Sequence, residues 1–394
     1  MRKAMHGSLF AGLLVGLSAV AGGEEAAAPE ALARANDLFG LKLLRGLHQP
    51  GKNACVSPAS VAQALHMTAL GAAGETQAEL LRALGVEGLA LGEGNRALLG
   101  KLLGSKDATL RIANSVWSSE RSGALLPGFA EVVRRDFQAE ARAVDFSDPA
   151  TLGVINGWVG EATEGMIPAL IDQIPPDAAL YLINAVYFKG SWTKPFEAGL
   201  THPAAFTLHD GGKQEVQLMS QTAHFPCVFG EDVSVVQLPY GEGGGASMWI
   251  ALPKDVAGLP ALIEGLTPKL LSEWSQKARK REVEVSLPRF RLSCKVNLNT
   301  ALEALGIVRA FDFQEADFSP MAERGDELVM SRVLHETVVE VNEEGTEAAA
   351  ATAVEMKAES LSEVKTLRCD RPFAFVIQEH ATGSILFAGA VYKP

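Results

Sequence analysis

From Thr346 to Ser360 the chain sorts its residues by parity. Thr346, Ala348, Ala350, Thr352, Val354 and Met356 are small or apolar, and the charges Glu347, Glu355, Lys357 and Glu359 fall on the other parity. An alanine-rich run favours a helix by propensity, but a period of two does not match 3.6 residues per turn, so a helix would mix the two sets. A strand separates them: one face buries completely while the charges face water. Such a segment suits both an exposed loop and a buried strand.

The remainder is long enough for a large core. The chain has 394 residues, nearly half of them hydrophobic, which permits one large mixed domain as readily as two or three. Acids outnumber bases 47 to 35, for a net charge of -12. That balance argues against nucleic acid, heparin-like polyanions and anionic membranes as main partners. The stretch from Leu99 to Leu110 offers a heparin-like polyanion only Lys101 and Lys106.

Arg2 and Lys3, the apolar run from Leu9 to Val20 and the small residues of Ala19-Val20-Ala21 have the form of a secretory signal peptide over residues 1–21. A short tail, 22–29, and one domain, 30–394, follow. The expected location is secreted, or periplasmic in a bacterium. Cys55, Cys227, Cys294 and Cys369 are far apart with no CxxC pair, so no metal site and no cofactor are expected, and buried free thiols are preferred to any of the three pairings.

Periodicity supplies the elements. Ala35, Leu38, Phe39, Leu43 and Leu47 recur at helical spacing over residues 31–47, and a second helix follows Ser57-Pro58 through Val61, Leu65, Thr68 and Ala69, with Gly74 breaking it. Thr76-Gln77-Ala78-Glu79 has the form of a capping box. Residues 111–117, 181–188, 282–292 and 331–341 are strand-like, 150–163 is helical, and 233–239 with 246–252 forms a hairpin around Gly241 to Gly245. Phe373, Phe375 and Ile377 alternate, and Ile385 with Phe387 returns after Thr382-Gly383. Helices come early and strands later, so the fold class is α+β.

Glu343-Glu344-Gly345-Thr346-Glu347-Ala348-Ala349-Ala350-Ala351-Thr352 resembles the hinge of inhibitory serpins. Asn184 to Trp192 resembles the third strand of that family's central sheet, and Asn53 through Ser60 the start of its second helix. Leu305-Gly306-Ile307 with Ala316 to Ser319, Pro372 to Phe375, and Leu386 to Gly389 resemble later family segments in order. The likeness runs from about residue 30 to the end.

The resemblance implies a serpin fold: helices around a large central mixed β-sheet, with an exposed reactive-centre loop at about 343–367. It implies an irreversible inhibitor of serine proteases, not an enzyme. The protease forms an acyl-enzyme with the loop, the cut loop enters the sheet as a strand, and the ester is trapped; serpin loop insertion is a standard example of strand addition. Counting from Glu343 places the bait bond at Glu359-Ser360, with Lys357 and Met356 as runners-up, and a Glu bait favours glutamate-preferring or elastase-like enzymes. Arg289 matches the basic partner of Glu343. Ser57, Ser60, Asn184 and His335 match the polar cluster where the sheet opens, and Trp192 the tryptophan under the loop's entry. A monomer is expected, with loop–sheet polymers left open.

The rival readings are an enzyme and a non-inhibitory serpin acting as carrier, chaperone or protease substrate. The chain has no G-x-S-x-G, no H-E-x-x-H and no P-loop. His335-Glu336-Thr337-Val338-Val339-Glu340 ends in Glu where a zinc protease needs His. Small residues at Thr346 and Ala348 to Ala351 favour inhibition over the carrier.

Overall fold

The computed structural model describes residues 28–104, 108–175, 177–346 and 364–394. The expected signal peptide lies outside these residues, as do Glu347, Ala348, Ala349, Ala350, Ala351, Met356, Lys357, Glu359 and Ser360.

The helices are α1 (Ala28–Leu47), α2 (Pro58–Leu70), α3 (Gly74–Leu84), α4 (Leu91–Leu103), α5 (Pro127–Phe137), α6 (Ala150–Ala162), α7 (Leu259–Gly265), α8 (Pro268–Lys277) and α9 (Asn299–Ala304). The strands are β1 (Ala54–Val56), β2 (Ala108–Ser119), β3 (Glu140–Val144), β4 (Leu180–Ser191), β5 (His202–Thr207), β6 (Lys213–Phe229), β7 (Val233–Tyr240), β8 (Ala246–Pro253), β9 (Arg279–Pro288), β10 (Phe290–Asn297), β11 (Met330–Val341), β12 (Gly345–Thr346), β13 (Lys365–Arg368), β14 (Phe373–Glu379) and β15 (Ile385–Val391).

Two sheets result. The first runs β1-β15-β14-β8-β7-β6-β9-β13, with β5 beside β6; the second runs β10-β11-β4-β2-β3, with β12 against β4. In the second sheet β4 and β11 are parallel neighbours, while β2 is antiparallel to β4 and β10 antiparallel to β11. Leu180 through Phe188 are all buried, as suits a central strand covered on both faces.

Beneath the sheet lies α2, buried along almost its whole length and contributing Val61 and Leu65 to the main core. Helix α1 crosses close to it: a Cβ on Gly40 would come within 2.3 Å of the Pro58 Cβ, so the crossing needs glycine. On the opposite face α6 and the segment after it pack Ile155, Val159, Ile167 and Leu170 on Trp117, Tyr181 and Ile183, together with Leu334 of β11.

Two local readings are corrected. The expected capping box is not formed. Helix α3 starts at Gly74 with Ala73 as its cap, Thr76 exchanges hydrogen bonds with the Glu315 carbonyl and the Asp317 amide, and Glu79 accepts from the Val308 and Arg309 amides. Both side chains meet a distant loop instead of the helix's own first turn. The alternating stretch 282–292 belongs to two strands, β9 and β10, because the chain turns at Arg289. All four thiols are free, with Cys55, Cys227 and Cys369 buried.

Candidate functional site at the β4–β11 seam

The parallel register puts Asn184 opposite His335 across the seam, and the antiparallel register puts Asn114 of β2 opposite Asn184. A row of polar side chains thus crosses three strands at one level. Helix α2 meets the row from below, since Ser57 caps it, Pro58 starts it and Ser60 is the third residue of its first turn. The Ser57 amide donates to His335 Nε2 at 3.2 Å, so Nε2 carries no proton. His335 Nδ1–H then donates to Asn184 Oδ1, which leaves Asn184 Nδ2 to donate to Ser60 Oγ and to Asn114 Oδ1. All these residues are buried. Burial drives the His335 pKa down to about 3, so the ring is neutral at physiological pH. A strand entering between β4 and β11 has to break the Asn184–His335 bond.

At the head of the seam the chain leaves β11 through Asn342, whose Oδ1 accepts from the Glu344 and Gly345 amides. This is the local turn that Asn chemistry favours. Gly345 has φ +143°, and a Cβ there would lie 2.1 Å from the Gly190 carbonyl oxygen, so only glycine fits. Gly345 and Thr346 then pair antiparallel to Ser191 and Gly190.

Side chains of the β4 end hold this turn. The Trp192 indole donates to the Asn342 carbonyl at 3.0 Å, and the Trp192 and Phe196 amides donate to the Glu344 and Glu343 carbonyls. Trp192 stacks on Tyr240 at 4.4 Å between centroids. Arg289 donates from Nε to both Glu343 oxygens at 2.7 Å, and Thr201 Oγ1 donates to Oε1 at 2.5 Å. Burial pushes the Glu343 carboxyl up, but the bonds from Arg289 and Thr201 outweigh it and the pKa is lowered overall. The Glu343 side chain is 9% exposed and that of Arg289 46%, so the ion pair is open to water on one side.

The sequence-based site residues therefore gather in two groups: Ser57, Ser60, Asn184 and His335 at mid-sheet, and Arg289, Trp192, Glu343, Gly345 and Thr346 at the head. Ser57 takes part through its backbone amide. Two members, Asn114 and Thr201, were missed. Asn114 carried a signal, an amide inside the otherwise strand-like Arg111 to Trp117; Thr201 lies in a loop and carried none. Among the described residues no group of three or more His, Cys, Asp or Glu side chains could hold a metal ion.

Comparison with known proteins agrees along the chain. The model of the family described as Serpin (serine protease inhibitor) matches residues 34–394. A leukocyte elastase inhibitor of Bos taurus is 37% identical, covering 93% of this chain and 100% of that protein. Serpin-Z2A of Oryza sativa subsp. japonica is 35% identical over 90% of this chain and 96% of its own. The native crystal structure of the thermophilic serpin tengpin superposes with a TM-score of 0.84 at 31% identity, covering 93% of this chain and 95% of that one. The chain belongs to the serpin family and is a serine protease inhibitor, not an enzyme.

Proposed function

We propose that this serpin inhibits by loop insertion at the β4–β11 seam, with Glu359-Ser360 as the bait. One observation carries the reading: Gly345 and Thr346 already pair antiparallel to β4, and β12 packs against β11 as well. A strand continuing from Thr346 would run antiparallel to both seam strands. It would exchange their parallel ladder for two antiparallel ones, which are the more stable kind, and the parity of residues 346–356 would bury the small residues. The protease serine attacks the Glu359 carbonyl, the amine of Ser360 leaves, and the acyl ester persists because insertion carries the protease away before water attacks. The native form is then held by a barrier rather than by equilibrium. The intact hinge supports inhibition, and the Glu bait supports glutamate-preferring or elastase-like targets. The pattern of residues 1–21 supports secretion; a mature chain that retained Met1 would refute it.

The test mixes the protein with a glutamate-specific protease, an elastase, a chymotrypsin and a trypsin. The expected result is an SDS-stable complex and a released C-terminal peptide beginning at Ser360. A complex with another peptide start moves the bait; cleavage by all four without a complex overturns the insertion mechanism.

A further inference from the structure

Away from the seam, the outer strand of the same sheet borders a groove. β10 is the outermost strand there, with no strand beyond it among the described residues. Its inward-facing residues are covered unevenly: Phe290 and Leu292 are buried, but Cys294 and Val296 only half. Over these two the groove opens, with a volume of about 660 Å³, within the range of ~300–1,000 Å³ usual for binding sites. Arg291 through Asn297 form one long wall, and Leu47, Ala54 and Ala301 belong to the apolar side opposite. Cys294 is half-buried and lines the groove together with Cys55 of β1.

Charge sets the groove apart. Its lining includes Lys52, Arg291 and Lys295 but neither Asp nor Glu, in a chain with 47 acids and a net charge of -12. Arg291 and Lys295, four residues apart on an exposed parity, stand on the α6 side of β10. Their partners are Glu340 at 3.6 Å and Asp172 at 2.8 Å, and Asp172 is 84% exposed. Exposed pairs of this kind hold weakly and exchange readily for another carboxylate.

We propose that the β10 edge docks an extended acidic segment of a partner protein, which adds to the sheet as an outer strand. As the outermost strand, β10 turns every second backbone N–H and C=O away from β11, toward its open edge. Over Arg291 to Asn297 the wall is about 23 Å long at ~3.3 Å per residue, so its shape fits an extended chain. The two faces of β10 read the two parities of the incoming strand. Small or apolar side chains settle over Cys294, Val296 and Ala301, and carboxylates lie beside Arg291 and Lys295. Cations on a sheet edge also guard against aggregation. Here the same cations select, because an uncharged strand must desolvate them and an acidic strand pairs with them. This proposal does not depend on the bait bond or on inhibition.

The test is fluorescence titration of a labelled synthetic peptide of about ten residues, Glu alternating with Val. It is run against the native protein and against the protein cut in its reactive loop, whose rise in thermal stability reports separately whether the central seam has been filled. The peptide is expected to bind both forms alike. Arg291→Glu with Lys295→Glu should weaken it about tenfold, as should replacing Glu by Gln in the peptide. Ala304→Trp, which fills the groove from an exposed position of α9, should abolish binding and covers the case in which the charge variant does not fold. Binding to the native form alone, once the cut form has filled its seam, would place the peptide at the seam and overturn the proposal. Absence of binding, or unchanged affinity in both variants, would overturn it as well.

Discussion

The middle and the head of one seam are held by different chemistry. At mid-sheet, neutral groups from β2, β4, β11 and α2 hydrogen-bond to one another out of contact with water. At the head, the chain turns back on β4 through backbone bonds, an aromatic stack and an ion pair whose arginine side chain is 46% exposed. A group that loses a buried partner has nothing to replace it, whereas a group at the head can turn to water. The seam should therefore open from the head downward, with the middle as the barrier.

The strongest way to break this comparison is Asn184→Ala. It leaves the His335 Nδ1–H, Ser60 and Asn114 without their shared partner and opens a small cavity, so a loss of about 3 kcal/mol is expected. Urea denaturation measures it. A loss no greater than that of Glu343→Ala would remove the distinction between the two sites.

Acid should act next most strongly, and on the middle first. The folded pKa of His335, about 3, lies below the ordinary histidine value of 6.5. Its contribution is therefore complete above pH 6.5 and falls away as the pH drops toward 3. His66, lowered to about 4 by burial, loses stability in the same direction, whereas Asp37, raised to about 8 by burial, contributes at low pH and loses as pH rises. Comparing wild type with His335→Gln cancels both. The stability gap should shrink by about 2 kcal/mol between pH 7 and pH 5, and a constant gap would mean that His335 is not held neutral.

A smaller effect is expected at the head from Gly345→Ala. The added Cβ meets the Gly190 carbonyl and the residue sits at positive φ, so β12 should detach from β4 at a cost of about 1–2 kcal/mol. Faster amide exchange at Thr346, with the mid-sheet amides unchanged, would localise the damage. Exchange that quickened along the whole of β11 would show that head and middle open together.

The sequence conveyed these two regions unequally. Strand-like composition and helical spacing located β2, β4, β11 and α2, because burial on one or both faces leaves a mark in the residues themselves. The mid-sheet cluster was recognisable through resemblance, since Ser57, Ser60, Asn184 and His335 stand in motifs. Its register was not, because nothing local says that Asn114, Asn184 and His335 share a level. The failed capping box shows the same limit from the other side. Thr76 and Glu79 have the right spacing for a local cap, yet they bond to residues more than 200 positions away. Local chemistry offers a partner, and tertiary packing offered these side chains a different one.

The smallest expected effect sharpens the comparison most, because it concerns charge alone. Hydrogen bonds from Arg289 and Thr201 hold the Glu343 carboxylate below its ordinary pKa. The head therefore keeps this contribution above the usual carboxylate range and loses it as the pH falls through the lowered value. With Arg289 partly in water, Glu343→Ala should lose only about 1 kcal/mol. Salt should reproduce part of that loss in the wild type, since ions screen an exposed pair, and should leave the neutral mid-sheet network unchanged. The measurement is stability from low to about 0.5 M salt for wild type, Glu343→Ala and Asn184→Ala. Wild type and Asn184→Ala should weaken in parallel while Glu343→Ala stays flat. If Glu343→Ala weakened with salt as the wild type does, the electrostatic hold would lie elsewhere and the head would be closed by its backbone and aromatic contacts alone.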